Sequence, residues 1–138
     1  MENFPEKIPE GIRFTFRKDE RLCSKKQIEK LFSEGESFLV YPLKIVFAKI
    51  EFSGSFPVRV AFTVSTKKFR KATERNLIKR RMREAYRLNK YILFSAEQQA
   101  PMAVMFIYVG KEVSDFFSIK KAMERCLSLI SKSITPNP

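Results

Sequence analysis

The sequence predicts an α+β sandwich with elements in the order α-β-β-β-α-β-α around a small mixed sheet. Three observations predict it. Apolar residues recur at helical spacing in three separate segments, they alternate with other residues in two more, and Met102 to Val109 is apolar almost throughout. Helices laid on a sheet let such stripes and strands bury their apolar sides, and the helices are expected on one side of the sheet. A chain of 138 residues is long enough for one core of this kind, and 44% hydrophobic content separates it from a disordered basic tail.

Residues Met1 to Ile12 are polar, carry Pro5, Pro9 and Gly11, and read as an irregular arm. Arg13-Phe14-Thr15-Phe16-Arg17-Lys18 interleaves basic and aromatic residues, a mixture that either stacks on bases or packs as an N-terminal extension. Residues 1–20 are therefore set apart as an extension and 21–134 as the single domain. Ser24 to Glu34 reads as the first helix: Ser24 caps it, Ile28, Leu31 and Phe32 give the apolar spacing, and Gly35 ends it. Phe38 to Ile50 is a strand run in which Leu43, Ile45 and Phe47 alternate with Lys44, Val46 and Ala48. Ser53-Gly54-Ser55 is a turn, and Val58 to Ser65 is the next strand, with Val58, Val60, Phe62 and Val64 on one face. A further short strand, near that turn or in the N-terminal arm, is needed to complete the order.

A central helix follows, starting from Thr73 as N-cap with Glu74 in its positive first turn and no Gly or Pro before Pro101. Met102 to Val109 then reads as a central strand covered on both sides, ended by Gly110. Ser114 or Asp115 caps a last helix whose buried stripe is Ile119, Met123, Cys126, Leu127 and Ile130. Thr135 to Pro138 is a tail.

The charge is concentrated. Lys67 to Lys90 holds eleven basic residues against Glu74 and Glu84, a net of +9 out of +12 for the whole chain. At about 100° per residue, Ile78, Met82, Ala85 and Tyr86 fall on one side of the central helix. Asn76, Lys79, Arg80, Arg83 and Arg87 share a neighbouring arc, with Arg75 at its border. A merely solvated face mixes signs, whereas this one is almost wholly positive. Like charges held together repel, so a polyanion is the expected partner. A pI near 9.9 points to nucleic acid first. Anionic membrane is the competing polyanion, but the helix has no bulky apolar face to sink into lipid. No apolar run approaches the roughly 20 residues that span a bilayer, so no membrane partner is expected. The N-terminus does not read as a signal peptide, and Cys23 and Cys126 are far apart with no CxxC or Cys/His cluster. A reducing, cytoplasmic setting is expected, with Cys126 as a small core hydrophobe.

Arg75-Asn76-Leu77-Ile78-Lys79-Arg80, followed by Arg83-Glu84-Ala85-Tyr86, resembles the signature helix of the bacterial ribonuclease P protein component. Val60 to Lys68 resembles the strand leading into it, and Leu22, Ile28, Leu31, Phe32 and Gly35 match the pattern of the family's first helix. The family pattern is Arg-Asn-Arg where this chain has Leu77 third, and a usual Gly-Asn pair is replaced by Arg70-Lys71. The resemblance implies the same sandwich, a fold shared with a domain of a ribosomal protein, with a left-handed β-α-β crossover around the basic helix that general rules would reject.

The residues offer little chemistry of their own. There is no histidine, and the acidic residues are scattered singly, with no DxD and no Ser/Lys or Cys/His constellation. Asp19-Glu20 reads as a solvated turn, and four glycines form no phosphate loop. No catalytic residue and no metal ligand set is expected in the polypeptide. The resemblance implies the same division of labour: an RNA subunit hydrolyses the phosphodiester with Mg2+, and one protein per RNA assists by binding that RNA and precursor tRNA. Lys68, Arg75, Asn76, Lys79, Arg80 and Arg83 match the signature segment, and with Lys67 and Arg87 they are expected to contact the catalytic RNA. Ile28, Phe32, Lys44 and Val46 match the cleft that takes the single-stranded 5′ leader, where Phe32 stacks on a base and Lys44 meets a phosphate. Ile28 and Val46 are equally ordinary core residues at core spacing. The alternatives are a non-catalytic RNA-binding protein of the same fold, ribosomal or chaperone, and a DNA-binding basic helix. The last lacks a leucine heptad or helix-turn-helix spacing.

Overall fold

The computed structural model describes residues 20–22, 24–49, 58–94 and 102–134. The elements are α1 (Lys25–Glu34), β1 (Glu36–Val40), β2 (Leu43–Lys49), β3 (Val58–Val64), α2 (Ala72–Asn89), α3 (Tyr91–Phe94), β4 (Met102–Tyr108) and α4 (Phe116–Ile134). The expected order holds, with α3 a single turn after α2. The Phe14/Phe16 arm, Cys23, the turn at 53–55 and the tail at 135–138 lie outside the described residues.

The strands form one mixed sheet in the order β1-β2-β4-β3. β1, β2 and β4 pair antiparallel in succession, and β3 runs parallel to β4 with Val60 opposite Val104. The run Phe38–Ile50, expected as one strand, is two. Val40 pairs with Leu43, so the chain reverses in the two residues Tyr41 and Pro42, whose peptide bond is cis. The strand that completes the order thus comes from inside the predicted one; the turn and the arm, where it was expected, lie outside the described residues. Side-chain parity changes at the break: Phe38 and Val40 precede it, Leu43, Ile45 and Phe47 follow it, and all five join the same cluster.

That cluster is the larger of two. It packs Ile45, Phe47, Val60, Val104 and Phe106 from one sheet face under Ile78, Met82 and Tyr86 of α2 and Ile119, Met123 and Leu127 of α4. The predicted stripe of α4 is fully buried, Cys126 included, and burial pushes that thiol up to about 12. The other face is covered by α1, which brings Leu31 onto Val46, Ala103 and Met105 beside Leu22. The helices therefore lie on both sides of the sheet, not one. The reason is in β4: six of its seven residues are buried, so apolar cover is needed on both faces.

Local chemistry sets the helix ends. Ser24 accepts from the Gln27 N–H and caps α1, while Gly35 sits where a methyl would run into the Leu31 carbonyl, Val46 and the Phe47 backbone. Asp115, of the two residues expected at the start of α4, takes the cap by accepting from the Ser118 N–H at 2.8 Å. That bond holds its carboxyl below the usual range. Thr73 does not cap α2: the helix begins two residues earlier, with Lys71 at the cap position and no side-chain bond there.

Glu20 overturns the reading of Asp19-Glu20 as a solvated turn. It is fully buried and pairs with Lys90 at 2.6 Å, tying the chain before α1 to the end of α2. Lys90 is buried too, so it leaves the set of cations available to a partner. The basic run thus spends one member on architecture. Removing one partner of a buried pair strands the other charge at low dielectric. We expect Lys90→Ala to cost about 3–5 kcal/mol in chemical denaturation. The double variant Glu20→Leu/Lys90→Met should recover most of that loss, and a Lys90→Ala midpoint equal to the parent's would show that the pair does not hold the chain before α1 to the end of α2.

Candidate nucleic-acid interface

The interface is built where β3 hands over to α2. Leaving β3 at Val64, the chain folds back on Ser65, whose hydroxyl oxygen accepts from the Lys67 and Lys68 N–H groups at 3.2 and 3.3 Å. The Ser65 carbonyl accepts from the Phe69 N–H, and the Phe69 ring is buried against Tyr108. Arg75, one turn into α2, reaches back and donates from one guanidinium nitrogen to the Phe69 and Arg70 carbonyls at 2.7 and 2.9 Å. Lys68 donates from Nζ to the Val109 carbonyl at 3.4 Å, across to the end of β4. The loop 65–70 is therefore clasped from three sides, and it projects Lys67, Lys68 and Arg70 outward.

Along α2 the cations divide by angle. Ile78, Met82, Ala85 and Tyr86 are buried as the periodicity requires, and burial with the Glu20 charge nearby pushes the Tyr86 phenol well above its usual range. Asn76, Arg80 and Arg83 are exposed and Lys79 is half-buried on the predicted arc. Arg83 and Lys79 also line a groove of about 210 Å³ with Arg21, over Leu22 and the Val60–Phe62 edge of the sheet. Arg21 was not among the predicted site residues, since a lone basic residue before a helix carries no signal of where it docks.

Three arginines of the run are engaged within the protein. Arg75 holds the loop, Arg81 donates to the Ser114 carbonyl at 2.6 Å, and Arg87 makes a two-nitrogen bond to Glu84 at 2.8 and 3.2 Å. The hydrogen bond from Arg87 lowers the Glu84 carboxyl below its usual range, with Arg80 and Arg83 adding to it. A depressed carboxyl favours the fold above its unfolded value and loses that advantage as pH falls through the folded one. Both side chains are well exposed, so this pair contributes little stability and mainly aims Arg87.

The second predicted set lies on the other face of the sheet. Ile28 and Val46 sit in the small core beside Leu31, so their packing role is the one the structure displays. Phe32 is 53% exposed on α1, and Lys44 projects from β2. Pairing register places Lys44 in a row that crosses all four strands: Leu39, Lys44, Ile107 and Thr63. α1 packs chiefly on the next row, where Val46 and Met105 lie; in this one Leu39 is 68% exposed and Lys44 is exposed, while Ile107 packs partly against the small core and Thr63 is half-buried. The row is an apolar shelf with one ammonium, suited to unstacked bases and a phosphate. Leu39, Ile107 and Thr63 were missed because a row forms only when four strands are in register.

The family model described as Ribonuclease P matches residues 16–131. A Porphyromonas gingivalis protein named ribonuclease P protein component is 36% identical over 123 residues, covering 88% of this chain and 90% of that one. One from Citrifermentans bemidjiense is 36% identical over 118 residues, covering 85% and 93%. Among solved structures, the Thermotoga maritima ribonuclease P protein superposes with a TM-score of 0.64 at 27% identity, over 80% of this chain and 96% of that one. The Staphylococcus aureus protein gives 0.64 over 82% and 96%; at 19% identity it supports the fold alone.

The loop clasp is testable by itself. Arg75→Ala should raise the amide exchange rate of Phe69 at least roughly tenfold, since charged hydrogen bonds of this kind contribute about 1.5–3 kcal/mol each. Unchanged protection at Phe69 would show that the loop stands without it.

Proposed function

The chain belongs to the ribonuclease P protein family, and from that premise we propose that it is the protein subunit of ribonuclease P. It binds the catalytic RNA and the 5′ leader of precursor tRNA, assisting endonucleolytic removal of the leader to give the mature 5′ end. The observation that carries this reading is the pairing of two RNA-suited surfaces of different chemistry on one small domain. One is a clasped loop and helix arc dominated by cations; the other is an apolar row with an exposed ring and a single ammonium.

On the first surface, Lys67, Lys68, Asn76, Lys79, Arg80 and Arg83 meet phosphates of the catalytic RNA, and Arg87 adds to them while held by Glu84. Arg75 acts chiefly by fixing the loop that presents Lys67 and Lys68. On the second, Phe32 stacks on a leader base and Lys44 neutralises a leader phosphate. Ile28 and Val46 support that surface from within the core. The phosphodiester is hydrolysed by the RNA subunit with Mg2+. In support, the sequence has no histidine, the commonest general base of proteins. No step of the hydrolysis is assigned to a side chain. One protein joins one RNA, in the cytoplasm; no described helix is long and apolar enough to cross a membrane.

Reconstitution with a bacterial ribonuclease P RNA at low magnesium tests the reading, with 5′ cleavage of precursor tRNA as readout. Strong stimulation, with none from protein alone, is expected. Binding without stimulation would favour a general RNA-binding protein. Lys79→Ala/Arg80→Ala should flatten the slope of log affinity against log salt by about 1 for each phosphate no longer neutralised. Phe32→Ala should weaken holoenzyme binding of precursor tRNA about tenfold, with mature tRNA unaffected; an equal weakening on both would confine Phe32 to packing.

A further inference from the structure

The groove beside β3 draws on a part of the chain that neither surface includes. β3 is terminal in the sheet, so one of its edges faces away from β4. Arg21 makes a parallel bridge to Val60 there, and the Leu22 N–H donates to the Val60 carbonyl at 2.9 Å. Both neighbours of Arg21 are anchored: Glu20 is buried on Lys90, and Leu22 is buried in the small core with Leu31. Arg21 itself is exposed. Its side chain therefore leaves a fixed stretch of backbone, and little order has to be created when it meets a ligand.

Lys79 and Arg83, one turn apart on α2, line the same groove, whose floor is Leu22 and the Val60–Phe62 edge. Three cations thus converge on about 210 Å³, and among the described residues no carboxylate lines it. Like charges brought together in this way favour an anion between them. A cation on an edge strand also discourages pairing with another chain. That role needs one charge and does not call for two more from α2 around the same hollow. A cationic rim over an apolar floor suits a phosphodiester, whose charge meets the rim while adjoining ribose carbons rest on the floor. The catalytic RNA is the favoured source, because Lys79 and Arg83 already belong to the arc assigned to it.

We propose that Arg21 joins Lys79 and Arg83 in holding one phosphodiester of the ribonuclease P RNA in this groove. This rests on the subunit reading and deepens it, carrying the contact with the catalytic RNA from α2 onto the segment that leads into α1. The experiment uses the full chain and transcribed ribonuclease P RNA, without precursor tRNA. Arg21→Gln should weaken binding about fivefold at roughly 0.15 M salt and reduce the slope of log affinity against log salt by about 1. Arg21→Lys should keep the parental slope, because charge sets counterion release. With ethylated RNA, one phosphate whose ethylation blocks the parent should cease to matter for Arg21→Gln and for Arg83→Gln alike. On the parent protein, an arginine-directed reagent read by mass spectrometry should find Arg21 shielded by the RNA, a measurement that stands even where a variant misfolds. An unshielded Arg21 would overturn the proposal, as would parental affinity and slope for Arg21→Gln. So would ethylation patterns that change at different phosphates in the two variants, or a weakening seen only when precursor tRNA is added. If the parent protein itself fails to bind the RNA, the subunit reading fails with it; if the parent binds and stimulates cleavage while Arg21→Gln matches it, only the groove assignment fails.

Discussion

The parallel pairing of β3 with β4 is the constraint on which the rest of the structure depends. Parallel neighbours cannot be joined by a tight turn, so the chain must leave the sheet, run back along it and re-enter. Here that excursion is α2, which must present one apolar side to the sheet and has its other sides free for charge. Although β3 is an edge strand, the position of the loop between it and α2 is fixed by Val64 and Phe69, both buried. The cations that follow inherit that placement. A flexible basic tail of the same composition would have to order itself on every binding event and would forfeit affinity in doing so.

Charge density on this helix has a cost that the fold meets internally. Three arginines are turned to protein acceptors: a pair of loop carbonyls, a carbonyl at the start of α4, and a carboxylate one turn away. A fourth cation, Lys90, is buried on Glu20. These contacts spread the repulsion and stiffen the scaffold, and they leave Lys79, Arg80 and Arg83 as the displayed set. An arginine-to-lysine exchange at position 75 would not be neutral, since the ammonium is a strongly hydrated point charge on a more flexible stem and lacks the pre-set planar fork that holds the Phe69 and Arg70 carbonyls.

Much of this was legible in the residues. Helical spacing identified α1, α2 and α4 with their buried stripes, and alternation identified β3 with its inward set. Three things were not. The hairpin at Tyr41-Pro42 was hidden inside a run rich in strand formers, although the shift of apolar residues from even to odd positions marked it. The burial of Glu20 and Lys90 depended on two residues seventy positions apart, and a charge run read as a surface gives no sign that its last member turns inward. The row holding Lys44 on the sheet required the register of four strands. Its members, Leu39 and Thr63 among them, are unremarkable one at a time.

The strand order has a further consequence for synthesis. β2 and β3 precede β4 in the chain, yet β4 lies between them, so neither has its inner neighbour until residue 108 has been made. While the ribosome is still adding those residues, the nascent chain carries one open edge on a hairpin and another on β3. Its most positive segment, residues 67–90, has already been made by then, before the sheet that positions it is complete. Closure of the sheet by a single late strand also completes the loop: Phe69 meets Tyr108, and Lys68 meets the Val109 carbonyl, only when β4 inserts.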